Sequence, residues 1–320
     1  MGWRYELSLD GFHHEALFYS GNDDFLVGTL PFILQGLERG EAVLVVERED
    51  KASLLRRGLG EDASEVLFAD MDAVGANPAR IIPAWQDFVD RHGQSGGRMR
   101  GIGEPIWAAR PGDELVECQR HESLLNVAFA AGRPWRLLCP YDTDTLPAPV
   151  IEEARRSHPF VSERHVALPS PHFRGLAESG ASFAGPLSPP PDQAQSLTFG
   201  PESLSEVRRL VGRAAAEASL DVERMSDLIA AANEVATNSL RYGGGTGSVL
   251  VWDDGESVFC EFRDRGRFNV PLADREKPLG TRAASGLWFA NQVCDLVQIR
   301  SYPTGTVVRL VVRRRRRNAA

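Results

Sequence analysis

Apolar and polar positions follow two alternating periods along the first half of the chain. Short apolar runs typical of strands occur at residues 16–19, 42–46, 66–68, 99–102 and 135–139. Longer runs with helical period lie between them, at residues 25–39, 79–91 and 115–131. The run at 42–46 is continuously apolar, as expected for a strand that is covered on both faces. The alternation predicts an α/β domain over residues 10–165, with a mainly parallel sheet and helices on both faces.

The carboxyl ends of the predicted strands carry side chains that can bind a ligand. In open parallel sheets, ligands bind in the crevice beyond those ends. The candidates there are Tyr19, Ser20, Glu47, Asp70, Gly103, Glu104, Tyr141 and Asp142, and of these Tyr19, Glu47, Glu104 and Tyr141 form the predicted sensory pocket. No Gly-x-x-x-x-Gly-Lys motif occurs, so a loop that cradles phosphate is not predicted in this half.

The second half of the chain begins with a change of composition. Residues 166–198 are rich in Pro, Gly and Ser and have no periodic apolar stripe, which predicts a linker. Helical, strand-like and polar loop segments then follow in order, at residues 203–217, 231–243, 247–252, 257–262, 280–286 and 287–294, with two further strands after them. The order predicts a second domain over residues 199–313, with a basic tail at 314–320.

Length and charge narrow the class of protein. A chain of 320 residues is too long for one ordinary core, which supports two domains. A net charge of −8 argues against general attraction to nucleic acid or anionic membranes, and the basic run at 313–317 is read as a solvated end. The first residues lack a signal-peptide core, no apolar run reaches membrane-spanning length, and the 4 cysteines lack disulfide spacing. We expect a cytoplasmic protein without direct nucleic-acid or membrane partners.

One predicted helix carries a pair of residues suited to chemistry at a phosphate. Its inward seam is formed by Leu228, Ala232, Val235 and Ser239. Glu234 and Asn238 are four residues apart, so their side chains share one face beside that seam. An amide oxygen can coordinate Mg²⁺, and a carboxylate can deprotonate an attacking hydroxyl. A Glu and an Asn on one helix face are usually only solvated. The motifs that follow, and their order, are what favour a catalytic role for this pair.

These motifs resemble those of a known superfamily of ATPases. They are Asn233-Glu-Val-Ala-Thr-Asn238, Asp264-Arg-Gly266, the stretch from Gly280 through Ser285-Gly-Leu-Trp288, and Gly305-Thr-Val-Val-Arg-Leu310. From residue 197 onward the chain is similar to the gyrase/Hsp90/histidine-kinase/MutL ATPases, and most similar to the anti-sigma-factor serine kinases among them. The resemblance implies an α/β-sandwich fold of the Bergerat type that binds ATP and Mg²⁺.

The resemblance also implies a role for each matching residue. Asn238 would hold Mg²⁺, and Glu234 would act as the base. Asp264 would read the adenine amino group, with Gly266 and Thr306 completing the adenine site. A flexible lid would present backbone amides to the phosphates before a helix begins, through Gly280, Ser285, Gly286 and Leu287. The implied partners are a sigma factor and an antagonist protein whose serine or threonine accepts phosphate.

The chain departs from the family pattern at three places. Phe268 stands where the second motif usually has another glycine, and Ala284 stands at a lid position that is usually glycine. Tyr242 replaces a commoner histidine. Alanine lacks glycine's freedom at positive φ, so lid closure is expected to be less adaptable than in the family. ATP binding is therefore a firmer expectation than fast turnover.

A second resemblance covers the first half. It is carried by His13-His-Glu-Ala-Leu-Phe-Tyr-Ser20, Pro31-Phe-Ile-Leu-Gln-Gly-Leu-Glu-Arg-Gly-Glu41 and Arg100-Gly-Ile-Gly-Glu-Pro105. This segment is similar to the MEDS sensory domain of methanogen and methylotroph regulators. The resemblance implies a RecA-like sheet without a nucleotide loop, which senses a small organic ligand.

Two alternatives use histidines and cysteines of the first half. Residues 120–126 superficially resemble a phosphoacceptor box, which would make the chain a sensor histidine kinase acting through His121. Cys118 and His121 share a helix face, so a zinc site is the other alternative, completed by His13, His14 or Cys139. A packed helix histidine is the more frequent situation in both cases.

A third alternative is not an enzyme. An ATP-dependent binding module would capture a sigma factor or its antagonist without transferring phosphate. The helix at 203–217 turns Ser205, Arg208 and Arg209 outward, which makes this face a candidate for a partner or for a homodimer. An ordinary amphipathic cover is the more frequent reading of such a helix.

Overall fold

The computed structural model describes residues 11–93, 96–163, 166–175, 178, 183, 185–268, 272–275 and 284–314. The chain divides into two compact units, Met1–Phe183 and Ala184–Ala320. Each unit contains its own sheet. Within the described ranges, no helix is long and apolar enough to cross a membrane.

The N-terminal unit is built on a sheet of seven strands. They are β1 Phe12–Tyr19, β2 Ala42–Glu47, β3 Leu67–Asp70, β4 Met99–Gly103, β5 Trp135–Asp142, β6 Phe160–Glu163 and β7 Val166–Pro169. Their order is β3-β2-β4-β5-β1-β6-β7, and only the β6–β7 pair is antiparallel. The predicted mainly parallel sheet is therefore confirmed. The strands β6 and β7 were not predicted, and β7 occupies the start of the segment predicted as linker.

Helices cover both faces of this sheet. They are α1 Gly21–Glu38, α2 Glu49–Leu59, α3 Met71–Val74, α4 Ile81–His92, α5 Gly112–Ala128 and α6 Ala148–Ser157. The α1–α2 side packs an apolar core that includes Leu17, Phe25, Ile33, Val45 and Leu55. On the opposite side, Trp85 of α4 lies 5.6 Å from Trp135 between ring centroids. The sequence pattern missed α2 and α6, which are short and mostly polar.

The C-terminal unit is a two-layer sandwich. Its five strands are β8 Gln195–Phe199, β9 Gly247–Asp253, β10 Ser257–Asp264, β11 Leu296–Tyr302 and β12 Gly305–Arg313, all antiparallel in the order β11-β12-β10-β9-β8. One face is covered by α7 Leu204–Glu217, α8 Val222–Tyr242 and α9 Ala284–Val293. This confirms the predicted α/β sandwich. The predicted linker ends too late, because β8 begins at Gln195 and pairs with β9.

The outer face of this sheet carries a buried ion pair. Arg309 of β12 lies directly opposite Glu261 of β10, and its Nε donates to Glu261 Oε2 at 2.9 Å. The same guanidinium donates to the carbonyl oxygen of Ser188 at 2.5 Å and to its hydroxyl at 3.1 Å. The proline-rich segment around Ser188 therefore packs on the sheet, whereas the sequence predicted a linker there. A side chain with five donors can hold a carboxylate and a backbone carbonyl together.

Candidate functional site

The long helix α8 presents the predicted catalytic pair. Asp221 caps its first turn by accepting a hydrogen bond from the amide of Arg224 at 2.8 Å. Its apolar seam is buried in the core, which fixes the rotation of the helix and leaves Glu234 and Asn238 half-buried beside it. A Cβ added to Gly286 would lie 2.7 Å from Glu234 Oε2 and 3.4 Å from Asn238 Nδ2. The first turn of α9 therefore contacts both members of the pair.

A second group of predicted residues meets at the carboxyl end of the same helix. Asp264 ends β10, where it lies opposite Thr306 of β12. Its Oδ2 accepts a hydrogen bond from the Ser239 hydroxyl at 2.6 Å, and its Oδ1 accepts one from the amide of Gly266 at 2.8 Å. The Thr306 hydroxyl donates to the carbonyl of Gly266 at 2.9 Å. The carboxylate is thus held in one orientation from two sides.

Glycine is required where the second motif packs on α8. A Cβ added to Gly266 would lie 2.6 Å from the carbonyl oxygen of Tyr242, a separation that real side chains do not adopt. A Cβ on Gly243 would overlap the carboxyl carbon of Asp264. The backbone of one motif can therefore approach the end of the other only without side chains at these positions.

The two groups are joined by neighbouring residues of α8, because Asn238 and Ser239 are consecutive. Sequence reasoning assigned Ser239 to the apolar seam and missed its contact with Asp264. A hydroxyl on the buried side of a helix, where an alanine would pack as well, is the signal that could have found it. Leu287 is only 6% exposed in the core, so it can offer a nucleotide only its backbone.

Part of the predicted lid is not described. Gly280 lies outside the described residues, and so do the side chains of Ala284 and Ser285. Their predicted contacts with phosphates remain predictions. Phe268, which replaces a family glycine, packs against the core, and its amide donates to the Ser301 hydroxyl at 2.9 Å. The chain is therefore anchored to β11 at Phe268, which lies 12 positions before Gly280, the first predicted lid residue.

The N-terminal unit has a cavity at the carboxyl ends of its strands. Its volume is about 220 Å³, and its lining includes Tyr19, Glu47, Glu104 and also Lys51, Trp107 and Asp142. The predicted fourth residue, Tyr141, does not line it. Successive residues of a strand point to opposite faces, so Tyr141 lies under the sheet, with its ring centroid 5.5 Å from that of His158. Asp142, which was also among the candidates at the strand ends, lines the cavity.

This cavity is acidic and partly desolvated. The Tyr19 hydroxyl donates to Glu104 Oε1 at 2.7 Å. Neither carboxyl oxygen of Glu47 has a hydrogen-bond partner among the described residues. Burial raises the pKa of Glu47 well above its usual range and raises the pKa of Glu104 to about 7. The ammonium of Lys51 lies 4.6 Å from the centre of the Tyr19 ring. The cavity can therefore stabilise a cation or store protons near neutral pH.

The position of His121 bears on the alternative that the chain is a sensor histidine kinase. His121 is 1% exposed within α5, on a helix whose polar residues are largely buried. A histidine in this position could reach a nucleotide only if α5 left the sheet. The observed burial favours the packed histidine over a phosphoacceptor.

Comparisons with known proteins agree with this division of the chain. Residues 13–159 match the family model described as "MEthanogen/methylotroph, DcmR Sensory domain" (MEDS). Residues 197–312 match the family model described as "Histidine kinase-like ATPase domain". The predicted fusion of a MEDS sensory domain with an ATPase of this superfamily is confirmed, and the second match implies ATP binding. A search of curated proteins gave no match.

One solved structure is similar to part of the chain. It is the crystal structure of the RsbU and RsbW domains of Rv1364c from Mycobacterium tuberculosis, with 20% sequence identity and a TM-score of 0.29. The similarity covers 37% of this chain and 32% of that one, so the match spans about a third of the solved chain. A likeness of this extent says nothing about activity or partners.

Proposed function

We propose that this chain is a signalling regulator whose C-terminal unit is an anti-sigma-type serine/threonine protein kinase that uses ATP and Mg²⁺. The observation that carries the proposal is the meeting of three motifs around α8. Glu234 and Asn238 lie against Gly286, and one residue further along the helix Ser239 holds Asp264. The N-terminal unit is the sensory part, and a small organic ligand in its acidic cavity controls the kinase.

Each residue of the site has a distinct task. The amide oxygen of Asn238 holds Mg²⁺, which when bound neutralises charge on the phosphates. Asp264, oriented by Ser239 and Gly266, accepts a hydrogen bond from the adenine amino group. Glu234 takes the proton from the hydroxyl of the protein substrate. The phosphates lie at the first turn of α9, where backbone amides have no partner within the helix.

A groove beside Glu234 suggests where the protein substrate binds. It has a volume of about 770 Å³ between α7, α8 and α9, and its lining includes Arg208, Ile229, Asn233, Glu234, Gly286 and Phe289. Arg208 donates to Asn233 Oδ1 at 2.8 Å, so the exposed face of α7 continues into this groove. We assign this face to a sigma factor or its antagonist, or to a second copy of the chain. Such partners place the protein in the cytoplasm.

Two substitutions distinguish ATP binding from transfer of the γ-phosphate to a protein substrate. Glu234→Ala is expected to abolish label transfer from ATP labelled on the γ-phosphate to a candidate antagonist protein, while ATP affinity changes by less than about threefold. Asp264→Ala is expected to weaken ATP binding by at least about tenfold, because a charged hydrogen bond is lost. Asp227→Ala, about two turns earlier on α8, serves as the control. Equal ATP affinity in the wild type and in Asp264→Ala rejects the adenine assignment.

A non-catalytic binding module is the second candidate, and the anchoring of Phe268 favours it. A chain that is fixed to β11 at Phe268, where the family usually has a flexible glycine, has less freedom for the closure that phosphate transfer needs. In the same labelling experiment, ATP-dependent capture of the partner without label on any serine or threonine identifies the module. Label on the partner that disappears in Glu234→Ala identifies the kinase.

A further inference from the structure

Four side chains from distant parts of the N-terminal unit meet beneath its sheet. His14 comes from β1, Cys139 from β5, Glu122 from α5, and His158 from the residue that follows α6. Each is at most 2% exposed. One ligand atom from each lies within 4.8 Å of the others. We call these residues the His14–Glu122–Cys139–His158 cluster.

The distances within the cluster match those around a four-coordinate ion. Glu122 Oε2 lies 3.1 Å from His14 Nε2 and 3.2 Å from His158 Nε2, and Cys139 Sγ lies 3.4 Å from His14 Nε2. With zinc–nitrogen bonds of about 2.0 Å and zinc–sulfur bonds of about 2.3 Å, neighbouring ligand atoms of a tetrahedron lie about 3.3–3.6 Å apart. These three distances therefore need to lengthen only slightly to admit an ion, and all four ligand atoms lie within 4.8 Å of one another.

Hydrogen bonds on the far side of each histidine direct lone pairs into the cluster. The amide nitrogen of Asn126 donates to the carbonyl of Ser157 at 2.7 Å, so its oxygen faces His14 Nδ1 at 3.1 Å. His158 Nδ1 lies 2.8 Å from the carbonyl of Ala154, which can only accept. Both Nδ1 atoms therefore donate, and in the neutral rings both Nε2 lone pairs point at Glu122. Metal-ligating histidines are oriented in this way.

Among the described residues, no positive charge balances the acceptor atoms that converge in the cluster. Glu122 brings a carboxylate to the two Nε2 lone pairs, and its Oε1 has no hydrogen-bond partner among the described residues. Acceptors that converge in a buried site repel one another, and a buried polar atom without a hydrogen-bond partner destabilises the fold. A bound cation removes both costs, and two imidazoles, a thiolate and a carboxylate are ligands that zinc accepts.

We propose that the His14–Glu122–Cys139–His158 cluster binds one zinc-class divalent cation through all four side chains. Four protein ligands close the coordination sphere, so the ion is structural and ties α5 and the end of α6 to the two central strands. These strands continue to Tyr19 and Asp142 in the acidic cavity, so the ion fixes the lining of that cavity. The site differs from the sequence-based zinc alternative, because Cys118 and His121 are not among its ligands.

The test uses the full-length chain and two buried cysteines. Elemental analysis of the purified wild type is expected to find one zinc per chain, and replacement by cobalt is expected to give visible bands of a four-coordinate ion with a thiolate-to-cobalt charge-transfer band. Cys139→Ser is expected to remove the charge-transfer band and to weaken cobalt binding at least about tenfold. Cys118→Ser, equally buried on α5, is expected to keep both.

Two results overturn the proposal. One is a wild-type chain that retains neither zinc after expression with added zinc nor cobalt after refolding with added cobalt. This result needs no variant, so it stands even if a variant fails to fold. The other is a charge-transfer band that persists in Cys139→Ser or vanishes in folded Cys118→Ser. The same comparison can be made at a nitrogen ligand. Cobalt affinity must fall in His158→Gln, which removes a proposed ligand, and must stay unchanged in His121→Gln, which does not.

Discussion

A single hydroxyl connects the two halves of the candidate ATP site. Ser239 is 2% exposed on the core side of α8, and its only described side-chain partner is the carboxylate of Asp264. Asp264 also accepts from the backbone at Gly266, so two donors fix its rotamer. A carboxylate held in advance binds an adenine amino group without first losing conformational freedom. The precision of this site therefore depends on a residue that would never contact ATP.

Replacing Ser239 by alanine tests that dependence. The change removes one hydrogen bond to a charged group, so we expect the free energy of unfolding to fall by about 1.5–3 kcal/mol and ATP affinity to fall about tenfold. Urea unfolding and titration with a fluorescent ATP analogue measure the two effects. Thr237→Ala is the control, because that hydroxyl bonds only to the carbonyl of Asn233 on the same helix. Unchanged ATP affinity in Ser239→Ala would contradict the positioning role.

Replacing Gly286 by alanine tests the contact between α8 and α9. In Gly286→Ala the new Cβ meets Glu234 Oε2 at 2.7 Å and Glu234 Cβ at 3.1 Å, so the Glu234 carboxylate must move, and we expect label transfer from ATP to fall about 10–100-fold. Helix propensity alone would favour alanine by about 0.5–1 kcal/mol. Gly212→Ala on α7 has the same propensity gain, and its new Cβ meets only the end of the Ile229 side chain, at 3.3 Å. Transfer of label from ATP to a candidate partner compares the two variants, and equal transfer would mean that the position of Glu234 does not limit phosphate transfer.

Glu104 gives a pH-dependent prediction. Burial raises its pKa to about 7, above the unfolded value of about 4.3, so the folded state binds the extra proton between these values. The free energy of unfolding should therefore fall as pH rises from about 4 to about 7 and then level off. The charged or titratable groups that line the same cavity are Tyr19, Glu47, Arg48, Asp50, Lys51 and Asp142. Burial also raises the pKa of Glu47, so this residue contributes to the same fall in stability as pH rises.

Glu104→Gln removes one of these two buried acids and should flatten the fall in stability without abolishing it. Urea unfolding of both proteins at a series of pH values measures the difference. Parallel curves for the wild type and the variant would show that Glu104 titrates normally in the folded state.

At the scale of elements, the register of β10 and β12 decides which charges are buried. Glu261 and Arg309 face each other in that register and are 1% and 2% exposed. Glu261 also binds Arg263, whose side chain is 49% exposed. One carboxylate therefore has a buried and an exposed arginine as partners. Only the buried arginine also bonds to Ser188.

The two arginines should differ in energy. Breaking a buried pair leaves an uncompensated charge, so Arg309→Met is expected to cost about 3–5 kcal/mol, whereas Arg263→Met is expected to cost about 0–1 kcal/mol. Adding Glu261→Leu to Arg309→Met should restore part of the loss, because no buried charge is then left unpaired and the half-exposed Arg263 is solvated. Chemical denaturation of the wild type, Arg309→Met, Arg263→Met, Glu261→Leu and the Arg309→Met/Glu261→Leu double variant measures this. Additive costs in the double variant would mean that the pair is not coupled.

At the scale of the whole molecule, each compact unit has its own sheet and core. The boundary between them is earlier than the predicted end of the linker. The segment that includes Gly185 and Ser188 belongs to the C-terminal unit, since Arg300 and Arg309 bind its backbone. The strand β8 follows and forms the edge of the sheet.

Two fragments test this boundary. A fragment of residues 185–320 is expected to unfold in one cooperative transition and to bind ATP with the affinity of the full chain. A fragment of residues 199–320 lacks Ser188 and nearly all of β8, so its free energy of unfolding should be lower by about 3 kcal/mol or more. Denaturation and ATP titration compare them. Equal stability would show that residues 185–198 are a linker after all.

The sequence determined the order and type of most elements, because burial of one face imposes a period on each segment. The seam of α8, the apolar run of β2 and the predicted strands 247–252 and 257–262 are examples. Motif order also identified the ATPase superfamily. Short polar elements such as α6 gave no such signal, because few of their residues are buried.

The tertiary structure decided the contacts between distant segments. Local periodicity does not encode the order of strands in a sheet, so it could not place His14 beside Glu122, Cys139 and His158. It also could not show that Ser239 meets Asp264, or that Asp142 rather than Tyr141 reaches the acidic cavity. These contacts depend on register and on the path of the chain between elements, and only the folded molecule fixes both.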